Sequence, residues 1–229
     1  VPSFSFFATC ESVSLTGAKP IFVDSEYDNF NIDLNDLESK ITDKTKAIIC
    51  VHLYGNPCDM DAIIELAKSY DLLIIEDCAE ALGASIKGRP VGRFGDVAAF
   101  SFFANKTITC GEGGALIVNN SDLTLRASEL RDHGMDKSKR YWHKYVGYNY
   151  RMTNLQAAIG LAQIEQFSMF IEKRKIIWNS YRKLLGSYDY FDFQLSRVDH
   201  SPASWLFTLL IRDDESISID EIISRLKDF

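Results

Sequence analysis

The chain has 229 residues, of which 46% are hydrophobic and 25% are charged, and this composition excludes a disordered or fibrous protein. Its formal net charge of −7 argues against general affinity for nucleic acid, which requires a basic surface. The five cysteines show no metal-site spacing, and no apolar run is long enough to cross a bilayer. We therefore expect a cytoplasmic protein with reduced thiols, no bound metal and no membrane partner.

Short apolar runs alternate with helix-like segments along the first 131 residues. The predicted strands are Pro20–Asp24, Ala47–Leu53, Leu72–Asp77, Val97–Phe103 and Ala115–Val118. The predicted helices are Thr9–Thr16, Leu34–Ile41, Met60–Tyr70 and Leu123–Arg131. Several strands are apolar almost throughout, as expected for strands covered on both faces. The alternation predicts an α/β fold with a mostly parallel sheet flanked by helices, whose ligands bind beyond the carboxyl ends of the strands.

The pattern changes after residue 152. Thr153 and Asn154 are suitable caps for a long helix that reaches about Leu185. An apolar run at Trp205–Ile211 and an amphipathic segment at Ile219–Phe229 follow. We predict a large-domain portion at 1–152, a long connecting helix at 153–186 and the start of a smaller C-terminal domain at 187–229. The chain opens within an apparent strand without Met and closes within the amphipathic segment, so we expect a chain that is incomplete at both ends.

An acidic pair, Glu76-Asp77, closes the third predicted strand. Asp77 is placed to meet a cationic ligand and to pair with a protonated ring nitrogen, which keeps such a ring an effective electron sink. Taken alone, an aspartate at this place more often caps the helix that follows.

Lys106 follows the fourth predicted strand among apolar and small residues, just before a glycine-rich turn at residues 111–114. Burial lowers the pKa of such a lysine and makes it a competent imine-forming amine. Ser101 offers a hydroxyl to a phosphate group. A surface hairpin with a solvated lysine is the alternative for this segment by itself. Together with Asp77, however, these residues suit the ring nitrogen, aldehyde and phosphate of pyridoxal 5′-phosphate (PLP).

The order of these motifs resembles the DegT/DnrJ/EryC1/StrS family of sugar aminotransferases along nearly the whole chain. Further landmarks of the resemblance are Val1–Phe6, Val51–Gly55 and Gly147–Met152. The resemblance implies the aspartate aminotransferase-like fold (PLP fold type I) with part of a smaller C-terminal domain. It also implies PLP-dependent transfer of an amino group from glutamate to a nucleotide-linked 4-keto-6-deoxy sugar.

The resemblance assigns roles to single residues. Lys106 matches the Schiff-base lysine that also moves a proton, Asp77 the partner of the pyridine nitrogen, and Ser101 the phosphate-binding serine. Glu80 stands where relatives place Gln or His near the cofactor ring. Phe6 matches an aromatic residue that stacks on the ring, with core packing as its alternative. The family's upstream Gly-Ser/Thr phosphate turn has no counterpart in this chain.

Asn149 matches a residue that reaches the cofactor phosphate of the neighbouring subunit, which implies a homodimer with shared active sites. Four aromatic residues lie near it in the chain, more apolar surface than a free loop leaves in water: Tyr141, Trp142, Tyr148 and Tyr150. The alternative is that these rings fold back on their own domain.

Within the family, Glu76–Ala81, Asn105–Thr109 and Arg140–His143 are most similar to enzymes that convert GDP-4-keto-6-deoxy-mannose to GDP-perosamine, a sugar of lipopolysaccharide O-antigens. One alternative is an aminotransferase for a UDP- or dTDP-linked keto sugar. Another is a regulator that binds PLP or a sugar without turnover. Family members that dehydrate such sugars carry His in place of the Schiff-base lysine, so Lys106 argues against that reaction.

Overall fold

The computed structural model describes residues 1–119, 121–212 and 218–227. The strands in chain order are β1 (Ala47–Val51), β2 (Leu73–Asp77), β3 (Ser85–Ile86), β4 (Arg89–Pro90), β5 (Val97–Ser101), β6 (Gly114–Val118), β7 (Phe191–Phe193), β8 (His200–Ser201) and β9 (Leu209–Ile211). The helices are α1 (Phe7–Leu15), α2 (Leu34–Ser39), α3 (Met60–Ser69), α4 (Ser121–Arg131), α5 (Asn154–Glu165), α6 (Phe167–Leu185) and α7 (Ile219–Lys227). None of the helices within the described ranges is both long and apolar enough to cross a membrane.

Four strands form the main sheet, in the order β1-β2-β5-β6. β1, β2 and β5 are parallel, and β6 runs antiparallel to β5 after the glycine-rich turn. Two small antiparallel sheets, β4-β3-β8 and β7-β9, involve the chain beyond residue 186. This arrangement confirms the predicted α/β fold with a mostly parallel sheet.

One face of the sheet is covered by α3, because its apolar residues recur on one side of the helix. Met60, Ile63 and Ala67 are buried there against Ile48 and Ile74 of the sheet. A second, smaller cluster of mostly small residues surrounds the residues after β2: Cys78, Ala81, Ala84, Val91, Ala98 and Ala203.

Two sequence predictions about single elements were wrong. Pro20–Asp24 does not form a strand, because only Val23 pairs, in an isolated bridge with Pro2. The long helix is two helices, since Gln166 leaves helical geometry with φ −105° and ψ 6°. The predicted start of that helix is confirmed by a capping box, in which the Thr153 hydroxyl accepts from the Gln156 amide at 3.2 Å. The division into 1–152, 153–186 and 187–229 stays a prediction.

Candidate active site

The carboxyl ends of three parallel strands meet at one edge of the sheet. β2 lies between β1 and β5, and its last residue, Asp77, is in register with Val51 on one side and Ala99 on the other. Side chains that follow these strands therefore converge at this edge, where parallel sheets bind ligands.

Asp77 is held in a fixed orientation by two hydrogen bonds. The Thr9 hydroxyl donates to Oδ2 at 2.8 Å, and the Ala79 amide donates to Oδ1 at 3.1 Å. The bond from Ala79 is the local turn bond expected of an aspartate that caps the following segment. The capping role therefore accounts for Oδ1 but not for Oδ2. The bond from Thr9, which is 68 residues away in the chain, is tertiary and fixes the half-buried carboxylate from the α1 side.

Lys106 is half-buried at the same edge, and its Nζ lies 4.1 Å from the ring centroid of Trp205. Burial lowers the pKa of Lys106, and the negative charges of Glu80 and Asp77 oppose that change in part. The three ionisable groups are thus close enough to influence one another electrostatically. A lysine with a lowered pKa has more of its uncharged amine, which is the form that attacks a carbonyl carbon.

Glu80 contacts the backbone that follows β1. Its Oε2 accepts a hydrogen bond from the Tyr54 amide at 2.6 Å, and burial raises its pKa although this bond and Lys106 oppose the rise. Tyr54 has a φ of 56°, in the left-handed region that non-glycine residues rarely adopt. At Gly55, a Cβ would lie 3.0 Å from the Glu80 carbonyl oxygen and 3.1 Å from Ala203 Cβ, so the close packing requires glycine.

Of the other predicted residues, Ser101 lies at the same edge of the sheet, whereas Phe6 and Asn149 lie elsewhere. Ser101 ends β5, and its Oγ accepts from the Phe103 amide at 3.2 Å, which leaves the hydroxyl proton available to a ligand. The Phe6 side chain is 76% exposed, so core packing within the described chain does not explain it. Asn149 is exposed and forms a backbone bridge with Asp132. The structure therefore brings Asp77, Glu80 and Lys106 together, and Phe6 and Asn149 face outwards.

A buried carboxylate beside Asp77 was not assigned a role from the sequence. Glu76 is 0% exposed, and its Oε1 accepts from the amides of Phe94 and Gly95, both at 2.7 Å. Its Oε2 accepts from the Gly92 amide at 2.7 Å and lies 3.1 Å from His52 Nε2. Burial raises the pKa of Glu76, but the bonds from His52 and the amides outweigh burial and hold the pKa below its usual value.

The tautomer of His52 follows from its surroundings. The Cys58 amide donates to Nδ1 at 3.0 Å, so Nε2 carries the ring proton and donates to Glu76. Among the described residues, His52, Glu76 and Cys78 form the one group whose ligand atoms lie within 4.8 Å of one another. Because both nitrogens of His52 are already engaged, this group is a hydrogen-bonded network that fixes the end of β2. It does not present a free lone pair of His52 to a metal ion.

The residues at this edge fit the PLP predicted from the sequence. Asp77 supplies an oriented anion for a ring nitrogen, Lys106 an amine with a lowered pKa for an aldehyde, and Ser101 a hydroxyl proton for a phosphate oxygen. Asp77 ends β2, Ser101 ends β5, and Lys106 lies in the loop after β5, so two neighbouring strands position the three groups. The donor set matches the chemistry of the cofactor.

The chain is similar to known aminotransferases along its whole length. The model of the DegT/DnrJ/EryC1/StrS aminotransferase family matches residues 1–229. The GDP-perosamine synthase of Escherichia coli O157:H7 is 48% identical over 215 residues, which are 94% of this chain and 58% of that protein. The UDP-2-acetamido-2-deoxy-3-oxo-D-glucuronate aminotransferase of Pseudomonas aeruginosa is 42% identical over 181 residues, which are 79% of this chain and 50% of that protein.

Two solved structures are similar along the whole chain. DesV from S. venezuelae has a TM-score of 0.91 at 35% identity and covers 100% of this chain and 60% of its own. The E. coli GDP-4-keto-6-deoxy-D-mannose-3-dehydratase with bound hydrated PLP has a TM-score of 0.91 at 26% identity, covering 100% of this chain and 62% of its own. The chain spans about three fifths of the length of most of these relatives.

Proposed function

The chain belongs to the DegT/DnrJ/EryC1/StrS aminotransferase family, and we propose that the full-length protein is a PLP-dependent aminotransferase acting on a nucleotide-linked keto sugar. The observation that carries the proposal is the convergence of Asp77, Glu80 and Lys106 at the carboxyl edge of the sheet, with the pKa of Lys106 lowered by burial. A lysine with this environment is typical of a functional site rather than of a solvated surface.

The residues of the chain would divide the chemistry between them. When bound, PLP supplies an aldehyde that accepts an amino group and a ring that withdraws electrons. Lys106 would bind the aldehyde carbon through Nζ and, when its amine is free, move the proton at Cα of the amino donor. Asp77 would hold a proton on the ring nitrogen, and Ser101 would donate its hydroxyl proton to the phosphate. Glu80 lies beside Lys106 and would face the ring.

We propose glutamate as the amino donor and GDP-4-keto-6-deoxy-mannose as the acceptor. The acceptor is supported by the 48% identity to a protein named GDP-perosamine synthase. A UDP-linked 3-keto sugar is the second candidate, because the P. aeruginosa relative at 42% identity is named for such a substrate. We also propose a cytoplasmic location, in keeping with four buried cysteines that form no disulfide: Cys50, Cys58, Cys78 and Cys110.

The proposal includes a homodimer in which Asn149 reaches the partner's cofactor phosphate. It is supported by the apolar surface near this residue: Tyr148 and Tyr150 stack with centroids 4.8 Å apart, and their side chains are 49% and 70% exposed. Val146 is 91% exposed in the same segment. Burial against a second subunit would remove these rings from water. The exposed Phe6 would then stack on a cofactor ring.

The test uses the full-length protein with PLP, glutamate and a panel of nucleotide-linked keto sugars. Borohydride should fix the cofactor covalently to Lys106, as identified by peptide mass, and the GDP-linked 4-keto sugar should be aminated fastest. Label on a different lysine would refute the assignment of Lys106. Preference for a UDP-linked 3-keto sugar would replace the acceptor, and binding without any turnover would leave the regulator that the sequence allowed.

A further inference from the structure

We propose that Trp205 is a positioning residue for Lys106: its indole face holds the free lysine ammonium at the carboxyl edge of the sheet. The inference rests on the proposed function for its meaning, since a held lysine matters only where the lysine reacts. Its evidence is a set of contacts that do not depend on a bound cofactor.

Trp205 contacts Lys106 in two ways. The ammonium Nζ lies 4.1 Å from the ring centroid, and the indole Nε1 donates to the carbonyl oxygen of Asn105 at 2.9 Å. Trp205, whose ring faces the Lys106 ammonium, therefore also binds the backbone at Asn105, one position before the lysine. A ring that is fixed to the loop at this point moves together with the loop, so the distance from ring to ammonium is kept.

The indole is itself held in place from outside the loop. Trp205 is only 8% exposed, and the Arg174 guanidinium of α6 donates to its carbonyl oxygen at 3.0 Å. Two residues earlier, the Ala203 amide donates to the Gly55 carbonyl at 2.9 Å, next to the Tyr54 amide that binds Glu80. The segment from Ala203 to Trp205 thus joins the Lys106 loop to the backbone after β1.

The chemistry of the contact favours positioning over simple core packing. Tryptophan offers the most favourable ring face for a cation, and the attraction grows when water is partly excluded, as it is around the half-buried Lys106. A lysine side chain has four rotatable bonds, so holding its charged end restricts many conformations. Glu80 and Asp77 are the carboxylates that also attract this ammonium. They and the indole together would keep the free amine at the site between turnovers.

The experiment observes Lys106 in the cofactor-free, full-length protein, by NMR after reductive methylation of its lysines with 13C. The Lys106 signal is identified by its loss in Lys106→Arg. We expect this signal to lie upfield of the other lysines, because the methyl groups sit over the indole ring. In Trp205→Leu the upfield shift should disappear, and the proton dissociation constant of Lys106 should rise roughly threefold to tenfold as the cation–π attraction is lost.

Two further variants separate the effect of the aromatic face on Lys106 from the effect of the indole hydrogen bond and of ring loss in general. Trp205→Phe keeps an aromatic face and should retain most of the upfield shift. Trp142→Leu removes a comparable ring, which lies 4.3 Å from Lys139 Nζ, and should leave the Lys106 signal unchanged.

An unshifted Lys106 signal in the wild-type protein would overturn the proposal, even if the Trp205 variants do not fold. A titration of Lys106 that is unaltered in a folded Trp205→Leu protein would also overturn it. Borohydride labelling of the wild-type protein tests the proposed function independently of the Trp205 contact. A held Lys106 that never takes up PLP would contradict the proposed function and not the contact with Trp205.

Discussion

Replacement of Glu76 by glutamine changes one atom of a buried group and should nevertheless strongly destabilise the protein. All four hydrogen bonds to the carboxylate come from donors: three backbone amides and the Nε2–H of His52. A glutamine side chain presents one oxygen and one NH₂ group. In either orientation the NH₂ group faces two of these donors, which lose their acceptor.

His52 cannot relieve the conflict by changing its tautomer. If the proton moved from Nε2 to Nδ1, it would face the Cys58 amide, which donates to Nδ1 at 3.0 Å. Two buried donors are then left unpaired, and each costs about 1–3 kcal/mol. We therefore expect the free energy of unfolding to fall by about 2–6 kcal/mol.

The assay is urea unfolding of the full-length protein, followed by far-UV circular dichroism, for the wild type and for Glu76→Gln. Glu65→Gln is the control, because it removes the same charge from an exposed position of α3 and should change the free energy of unfolding by less than about 0.5 kcal/mol. A decrease in the free energy of unfolding below about 1 kcal/mol for Glu76→Gln would show that the network tolerates an amide. It would refute the reasoning that all four hydrogen bonds to Glu76 come from donors that need an acceptor.

The same carboxylate predicts a pH dependence of stability. The pKa of Glu76 is lower in the folded protein than in the unfolded chain, so its stabilising contribution is complete above the unfolded pKa. That contribution is lost as the pH falls through the lower, folded pKa. The difference in stability between the wild type and Glu76→Gln should therefore shrink as the pH is lowered below the usual range of a glutamate. A difference that stays constant down to acid unfolding would contradict this assignment.

Three further predictions concern the proposed active site. Asp77→Ala should lower the amination rate on the order of a hundredfold in steady-state assays, and near-normal turnover would mean that Asp77 only caps the turn. Glu80→Gln removes a charge that raises the pKa of Lys106, so covalent capture of PLP should become half-maximal at a lower pH; a shift to higher pH would contradict the sign. Mixing inactive Lys106→Ala and Asn149→Ala proteins should restore part of the activity through mixed dimers. No recovery despite demonstrated subunit exchange would exclude shared sites.

The sheet was predictable from the sequence because burial on both faces requires continuous apolar runs. The predicted strand starting at Ala47 extends two residues further than β1, and the run at Leu72 starts one residue before β2. Pro20–Asp24 has a similar apolar composition but pairs at Val23 alone, and the side chains of Ile21 and Phe22 are 46% and 48% exposed. Composition alone does not show whether an apolar run has a neighbouring strand, and this missing information explains the error.

The two acidic residues at the end of β2 have side chains on opposite faces of the strand. Successive side chains of a strand point to opposite faces, so Glu76 shares a face with Ile74, and both are buried at 0% and 5% exposure. Asp77 points to the other face and is half-buried. One acid of the pair therefore serves the core and the other is accessible to a ligand, but no role for Glu76 was predicted from the sequence. The amides that stabilise Glu76 come from Gly92–Gly95, and nothing in the local pattern identified them.

Trp205 opens the apolar run Trp205–Ile211, but β9 begins only at Leu209. The contacts of Trp205 explain why an apolar residue lies there outside the strand. The indole binds Asn105 and lies over Lys106, about a hundred residues earlier in the chain, so its burial reflects this tertiary contact rather than a strand. Sequence patterns of period two or 3.6 report only which face of an element is apolar. A contact between a cation and a ring from two distant loops leaves no such periodic signal, so the position of Trp205 beside Lys106 could not be predicted from the sequence.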